Sequence, residues 1–331
     1  MSAARYLALL AVTFVGLLAL AAIDAWAQAG APTKHGYYTC SYVAGKIRFG
    51  SAVASPKLVV VSGSNAMAGI DMASLTGALS VRGFNFGLAA SFGPGFQSFE
   101  ASKILKRGDA ALMPLEYLAY DYSTPQDSLV DAVYSCGMDY WKTLDWREKL
   151  FFVMAAKPFR LFDSLHFRSN ARAMREVAAE AAEDMDAFGQ PASQGQPMRA
   201  AAVEPDVSRH TPIAIHFDPD SPGARAIEKF VAWAKAHGVT VFATWPNTLY
   251  YPQYARYPAF GQIRDFYRRL GVNVVGGPKD AMFDASLMGD TIYHLNREGT
   301  RIRTARLIDD LRNDPAFMAW QRTARDSIPA Q

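Results

Sequence analysis

The first feature in the pattern of apolar and polar positions is an unbroken apolar run from Tyr6 to Ile23, preceded by a single Arg5. It has no polar face, and its length is close to the ~20 residues that cross a bilayer. Residues 1–29 therefore read as a signal peptide or a membrane anchor. Two small-residue triplets, Ala25-Trp26-Ala27 and Ala27-Gln28-Ala29, are candidate cleavage sites. Cleaved and retained forms both stay open. Residues 30–56 read as a connecting segment with some β character.

From Lys57 onward, short strand-like runs, the first of them β-branched, alternate with helical patterns. Lys57–Val61, Gly83–Gly87 and Ala110–Met113 read as buried strands, with helices predicted over Ala66–Leu79 and Phe99–Lys106. Helical patterns then cover Gln126–Tyr134, Trp146–Ala156 and Ala171–Phe188. Gly189–Arg209 is rich in Pro, Gln, Ser and Ala and reads as a flexible loop. Alternation resumes with strands at Pro212–His216, Val239–Thr244 and Val272–Val275, and helices at Pro222–His237, Phe260–Leu270 and Arg297–Leu311, the last capped by Asn296. Such alternation predicts an α/β fold around a mainly parallel sheet covered on both faces. The domain spans about residues 57–325, with a helical and flexible insertion at about 139–209.

Composition narrows the function classes. Half of the 331 residues are hydrophobic and the formal net charge is +3. That balance, without a dense Lys/Arg patch, gives no reason to expect a nucleic-acid partner. The two cysteines, Cys40 and Cys136, follow the export segment. They are either a disulfide or two separate buried thiols. No dinucleotide fingerprint, phosphate-binding glycine loop or zinc motif occurs, so no cofactor is expected.

Three pieces of candidate chemistry fall at strand ends or loops. Ser64 lies in the turn Ser62-Gly63-Ser64-Asn65 after the first strand of the domain, where a hydroxyl stands above the sheet and backbone N–H groups lie nearby. Asp290 and His294 share a loop before the last helix. A serine nucleophile needs a base, and the base needs a carboxylate to fix its tautomer. Asn85 opens a loop of small residues, Gly87, Ala89, Ala90 and Ser91, through which a backbone N–H can approach a substrate oxygen. Trp245 and Asn247 follow a strand end and are weaker substrate-binding candidates. Tyr250, Tyr251, Tyr254 and Tyr257 after them are either sugar-stacking rings or a packed loop.

Four short blocks carry a resemblance. Ser62 through Ile70-Asp71 resembles the nucleophile block of bacterial SGNH (GDSL-like) proteins associated with cell-envelope and exopolysaccharide O-acylation. Gly83–Leu88 resembles their second block, Gly108-Asp109 through Leu115-Glu116-Tyr117 their "GD…PLEY" strand, and His294-Leu295-Asn296 with Gly299 their terminal "HLN..G" block. The resemblance implies a three-layer α/β/α, flavodoxin-like fold. Ser64 would be the nucleophile, His294 the base and Asp290 its orienter. An oxyanion hole would form from the backbone of Ser64 and of the Ala89–Ala90 loop, with Asn85, Asn65 and Glu116 around it. It also implies an acyl acceptor such as a glycan, and a membrane-bound acyl donor protein as partner. Membrane contact would run through the N-terminal helix, and the location would be extracytoplasmic or periplasmic. Two departures stand out. Glu116 occupies the position where SGNH esterases usually have an asparagine, and Asp290 lies four residues before His294 instead of three. Asp284 is the substitute orienter. The Glu116 departure also supports an inactive glycan-binding or scaffold module.

Overall fold

The computed structural model describes residues 2–183, 185–191 and 211–327. Helices α1 (Ala3–Gln28) and α2 (Lys34–Ala52) precede β1 (Lys57–Val60). Next come α3 (Ser64–Met67), α4 (Met72–Leu79), β2 (Arg82–Asn85), α5 (Gly93–Ser102) and β3 (Ala110–Met113). Helices α6 (Asp127–Ser135), α7 (Met138–Thr143), α8 (Trp146–Ala155), α9 (Phe159–Arg168) and α10 (Ala171–Glu183) follow. The last described elements are α11 (Pro222–His237), β4 (Thr240–Thr244), β5 (Thr248–Leu249), α12 (Ala259–Arg269), β6 (Asn273–Val275), β7 (Met282–Phe283), α13 (Arg297–Arg312) and α14 (Pro315–Asp326). The chain divides into two compact units, Met1–Tyr42 with Thr124–Ala182 and Val43–Ser123 with Glu183–Gln331.

The first unit is helical. A disulfide joins Cys40 in α2 to Cys136 just after α6. Its polar centre is Arg160 of α9. The guanidinium pairs with Asp131 of α6 at 2.7 Å and donates to Ser135 Oγ at 2.8 Å. The last turn of α1 is built into the same packing. Gln28 is fully buried, and its amide donates to Asp24 Oδ2 at 2.7 Å and to the Lys157 carbonyl at 3.2 Å.

The second unit is mixed α/β. Its five-stranded sheet has the order β2-β1-β3-β4-β6, and every pairing is parallel. The short runs form strands because β-branched and apolar residues fill a pleated surface; β1 and β3 are buried at every position. Leu58, Val60, Leu112 and Phe242 pack in one cluster with Leu75 of α4, Leu307 and Leu311 of α13, and Phe317 of α14. Asp109, just before β3, ties two backbone segments: its carboxylate accepts from the N–H of Lys57 at 3.0 Å and of Lys106 at 2.8 Å.

Several elements differ from the sequence reading. Residues 30–56 hold a five-turn helix, α2, in place of β character. The helix expected over Ala66–Leu79 is broken into α3 and α4, because Asp71 caps a new helix by accepting from Ser74 N–H. The helix read as Phe99–Lys106 starts earlier, at Gly93, with Pro94 in its first turn. Pro212–His216 joins no ladder; Ile213 N–H goes to the Tyr254 hydroxyl instead. The loop expected over Gly189–Arg209 lies mostly outside the described residues.

Candidate active site

The parallel sheet sets the location. The chain leaves β1 to one neighbour, β2, and then crosses back to the other, β3. At such a reversal, open α/β sheets form a crevice beyond the carboxyl ends of the strands. Ser64 follows β1 and Glu116 follows β3, so both lie at this point.

Ser64 is the first residue of α3, with Gly63 as its N-cap. The N–H of such a residue has no acceptor within its own helix. The turn is held from beneath by Glu116. One carboxylate oxygen accepts from Gly63 N–H at 3.1 Å and the other from Asn65 N–H at 3.0 Å. The carboxylate therefore grips the residues on either side of Ser64. A Cβ at residue 63 would run into it, which accounts for the glycine. Glu116 is buried, and burial pushes its carboxyl above the usual range while the Asn65 side chain and the surrounding backbone N–H groups pull the other way. The floor is completed by Asn65, whose amide donates to Ser62 Oγ at 2.8 Å and to the Pro114 carbonyl at 2.9 Å.

His294 arrives from the loop before α13. His294 Nε2 lies 2.8 Å from Ser64 Oγ, and His294 Nδ1 lies 2.6 Å from Asp290 Oδ1. The loop is fixed by its own backbone. Gly289 N–H donates to the His294 carbonyl at 2.7 Å, and His294 N–H donates to Thr291 Oγ1 at 3.1 Å. Two further bonds tie it to the end of α3 and to β5. Leu295 N–H donates to the Ala68 carbonyl at 2.9 Å, and Leu249 N–H donates to the Ile292 carbonyl at 2.8 Å. Asn296 caps α13 by accepting from Gly299 N–H at 3.0 Å. Asp284 is exposed and caps a short 3-10 turn at Ala285–Leu287, so Asp290 is the carboxylate against His294.

The other expected residues divide sharply. Asn85 is fully buried. Its amide donates to the Ala66 carbonyl at 2.8 Å, and its oxygen accepts from Gly87 N–H at 2.9 Å. Its side chain therefore binds the second loop to α3. Ala90 begins the 3-10 turn Ala90–Phe92 and is half-buried. Trp245 is buried, with its indole N–H on the Gly276 carbonyl at 3.2 Å and its ring edge-on to Phe260. It is core, with no face presented to a sugar. Asn247 is buried as well and donates to the Tyr293 carbonyl, next to the base. Tyr254 is the buried centre of the tyrosine loop, against Tyr251 and Tyr257, and only Tyr250 is well exposed.

The sequence placed Glu116 in the pocket where SGNH esterases usually have an asparagine, and offered Asn247 as a weak substrate contact or a structural turn; in the fold Glu116 accepts from Gly63 and Asn65 N–H, and Asn247 donates to the Tyr293 carbonyl. The available signal was Gly63 and Gly69: a Cβ at residue 69 would meet the Asn247 side chain. No protein-family model matches the chain, and no curated protein matches it.

Proposed function

We propose that the protein is an extracytoplasmic serine-dependent acyl-ester enzyme of the SGNH type, working through an acyl-Ser64 intermediate. The observation that carries this reading is the continuous line from Ser64 Oγ through the His294 ring to Asp290. Nothing else in ordinary folding requires a serine hydroxyl, both imidazole nitrogens and a carboxylate in that order. His294 Nε2 takes the hydroxyl proton as Ser64 attacks an ester carbonyl. Asp290 holds the tautomer and stabilises the imidazolium. The Ser64 N–H, with a donor from the Ala89–Ala90 loop, receives the oxyanion. His294 then returns the proton to the leaving alcohol. A second acceptor, activated by the same base, releases the acyl group.

That acceptor is water in an esterase and a sugar hydroxyl in an O-acyltransferase. The resemblance of the four blocks favours transfer to an exported or envelope glycan, supplied by a membrane-bound acyl donor protein. The same reading assigns the sheet and its helices to the three-layer SGNH arrangement, supported by the all-parallel strand order β2-β1-β3-β4-β6. An extracytoplasmic location is supported by α1, which is long and apolar enough to cross a membrane, and by the Cys40–Cys136 disulfide. The feature that favoured an inactive binding module was Glu116. Its grip on Gly63 and Asn65 gives it a use in holding the nucleophile, so that feature no longer separates the two readings.

The test is turnover of p-nitrophenyl acetate by the protein beside Ser64→Ala and His294→Ala. Hydrolysis abolished in both variants supports the assignment. Hydrolysis that persists in both removes it.

A further inference from the structure

Helices α8 and α9 of the helical unit are patterned the wrong way round for a water-facing surface. A surface helix normally turns its apolar stripe inward. In α9 the buried residues are Arg160, Ser164 and Phe167, while Phe159, Phe162 and Leu165 face out at 79%, 67% and 56% exposure. In α8, Trp146, Leu150 and Met154 form an exposed stripe at four-residue spacing, with Phe151 beside it. Scattered exposed apolar residues need no explanation. A run of seven large ones on two consecutive helices does.

The neighbour of these helices names what covers them. α1 packs against both α8 and α9. Its apolar 18-residue window is wholly unburied, whereas Gln28 and Ala25 at its end are locked into the unit. One residue of each triplet that resembles a cleavage site, Ala25 and Gln28, is buried in the unit, which supports a retained anchor. Trp26, 80% exposed at the end of the apolar run, has the place of an interfacial aromatic. Apart from the buried Arg160, the stretch from Trp146 to Arg168 carries four Lys or Arg against two Asp or Glu. Exposed aromatics and aliphatics with flanking cations are the composition of a helix lying in a headgroup layer.

We propose that α8 and α9 seat their exposed apolar face in the interfacial layer of the bilayer that α1 enters, so that the helical unit lies on the membrane in addition to being tethered to it. The occupant of this face is lipid. The inference rests on the anchor part of the reading above and is independent of the chemistry at Ser64.

The native cysteines are paired, so a single introduced cysteine can carry a nitroxide label. The full chain is reconstituted in phosphatidylethanolamine and phosphatidylglycerol vesicles, with labels at Val12→Cys in α1, Phe159→Cys, Phe162→Cys and, as a water-facing control in α10, Arg172→Cys. Collision with oxygen, which concentrates in lipid, is compared with collision with a water-soluble nickel chelate. The ratio at 159 and 162 is expected to exceed that at 172 by roughly threefold or more, approaching that at 12. A ratio at 159 and 162 equal to that at 172 overturns the proposal. So does shielding from both agents, which would mean that protein covers the face. A lipid signal at 12 without one at 159 and 162 sinks this inference alone; its absence at 12 sinks the anchor as well.

Discussion

The two carboxylates at the candidate site sit on opposite sides of Ser64 and are built differently. Glu116 is buried beneath the nucleophile turn, with both oxygens committed to backbone N–H groups. Asp290 stands on a surface loop with its side chain half exposed, against one imidazole nitrogen. The first is a fixed strut; on the proposed mechanism the second is the partner of a group that changes charge. A buried strut acts on shape, because removing one of its acceptors strands a donor in the interior. An exposed orienter acts on the tautomer and charge of the base. Variants of the two should therefore fail in different ways.

The largest effects belong to the line itself. Ser64→Ala and His294→Ala are each expected to lower kcat by on the order of 10⁴–10⁶, and the double variant to lose little more, because the residues act as a unit. Initial rates on an activated ester, with matched thermal melts, check this. Asp290→Asn is expected to cost about 10²–10⁴ in kcat with the fold intact. A loss confined to KM would remove its orienting role.

Glu116→Gln sharpens the contrast. The amide keeps one acceptor and turns an NH₂ group toward the other backbone N–H. The expected cost is about 1–3 kcal/mol of stability, together with a fall in kcat from a displaced nucleophile. The pH response separates it further. Burial raises the folded-state pKa of Glu116 above its unfolded value, so the folded protein binds the proton more tightly than the unfolded chain. The contribution of this group is therefore fully present below its unfolded pKa and is lost as pH rises through the raised folded value. Denaturant melts across that window should show this decline in the wild type and a flatter curve in Glu116→Gln. An unchanged slope would contradict the assignment.

How far the sequence reached follows the same division. The juxtaposition of Ser64, His294 and Asp290 was legible because a hydroxyl, an imidazole and a carboxylate that could act together are restricted residue types placed at strand ends or in one loop. The struts were not, because their partners are backbone amides and a distant asparagine that only the fold brings near. Asn247 pairs with Tyr293, and Asn85 with Ala66, across stretches that no local pattern links. Strands read well where apolar runs are short and fully buried; the predicted Ala110–Met113 coincides with β3. Helix α2 was misread because Tyr, Thr, Val and Ile in its sequence carry strand propensity that its packing overrides. Pro212–His216 failed for the converse reason: a strand-like run forms no strand without a ladder partner. The smallest expected effect comes from here as well. Trp245→Phe, which keeps the edge-on packing against Phe260 and loses one hydrogen bond to Gly276, should leave KM within about twofold and lower stability by roughly 1 kcal/mol. A large rise in KM would return Trp245 to the substrate.

The most direct measurement is the covalent state of Ser64 during turnover. The wild-type protein is quenched in acid while hydrolysing p-nitrophenyl acetate, digested, and the peptide containing Ser64 is mass-analysed beside His294→Ala. An acetyl group on Ser64 in the wild type, absent in the variant, is the result the account predicts. Undiminished turnover in Ser64→Ala, with no acetyl group on Ser64 in the wild type, would contradict it.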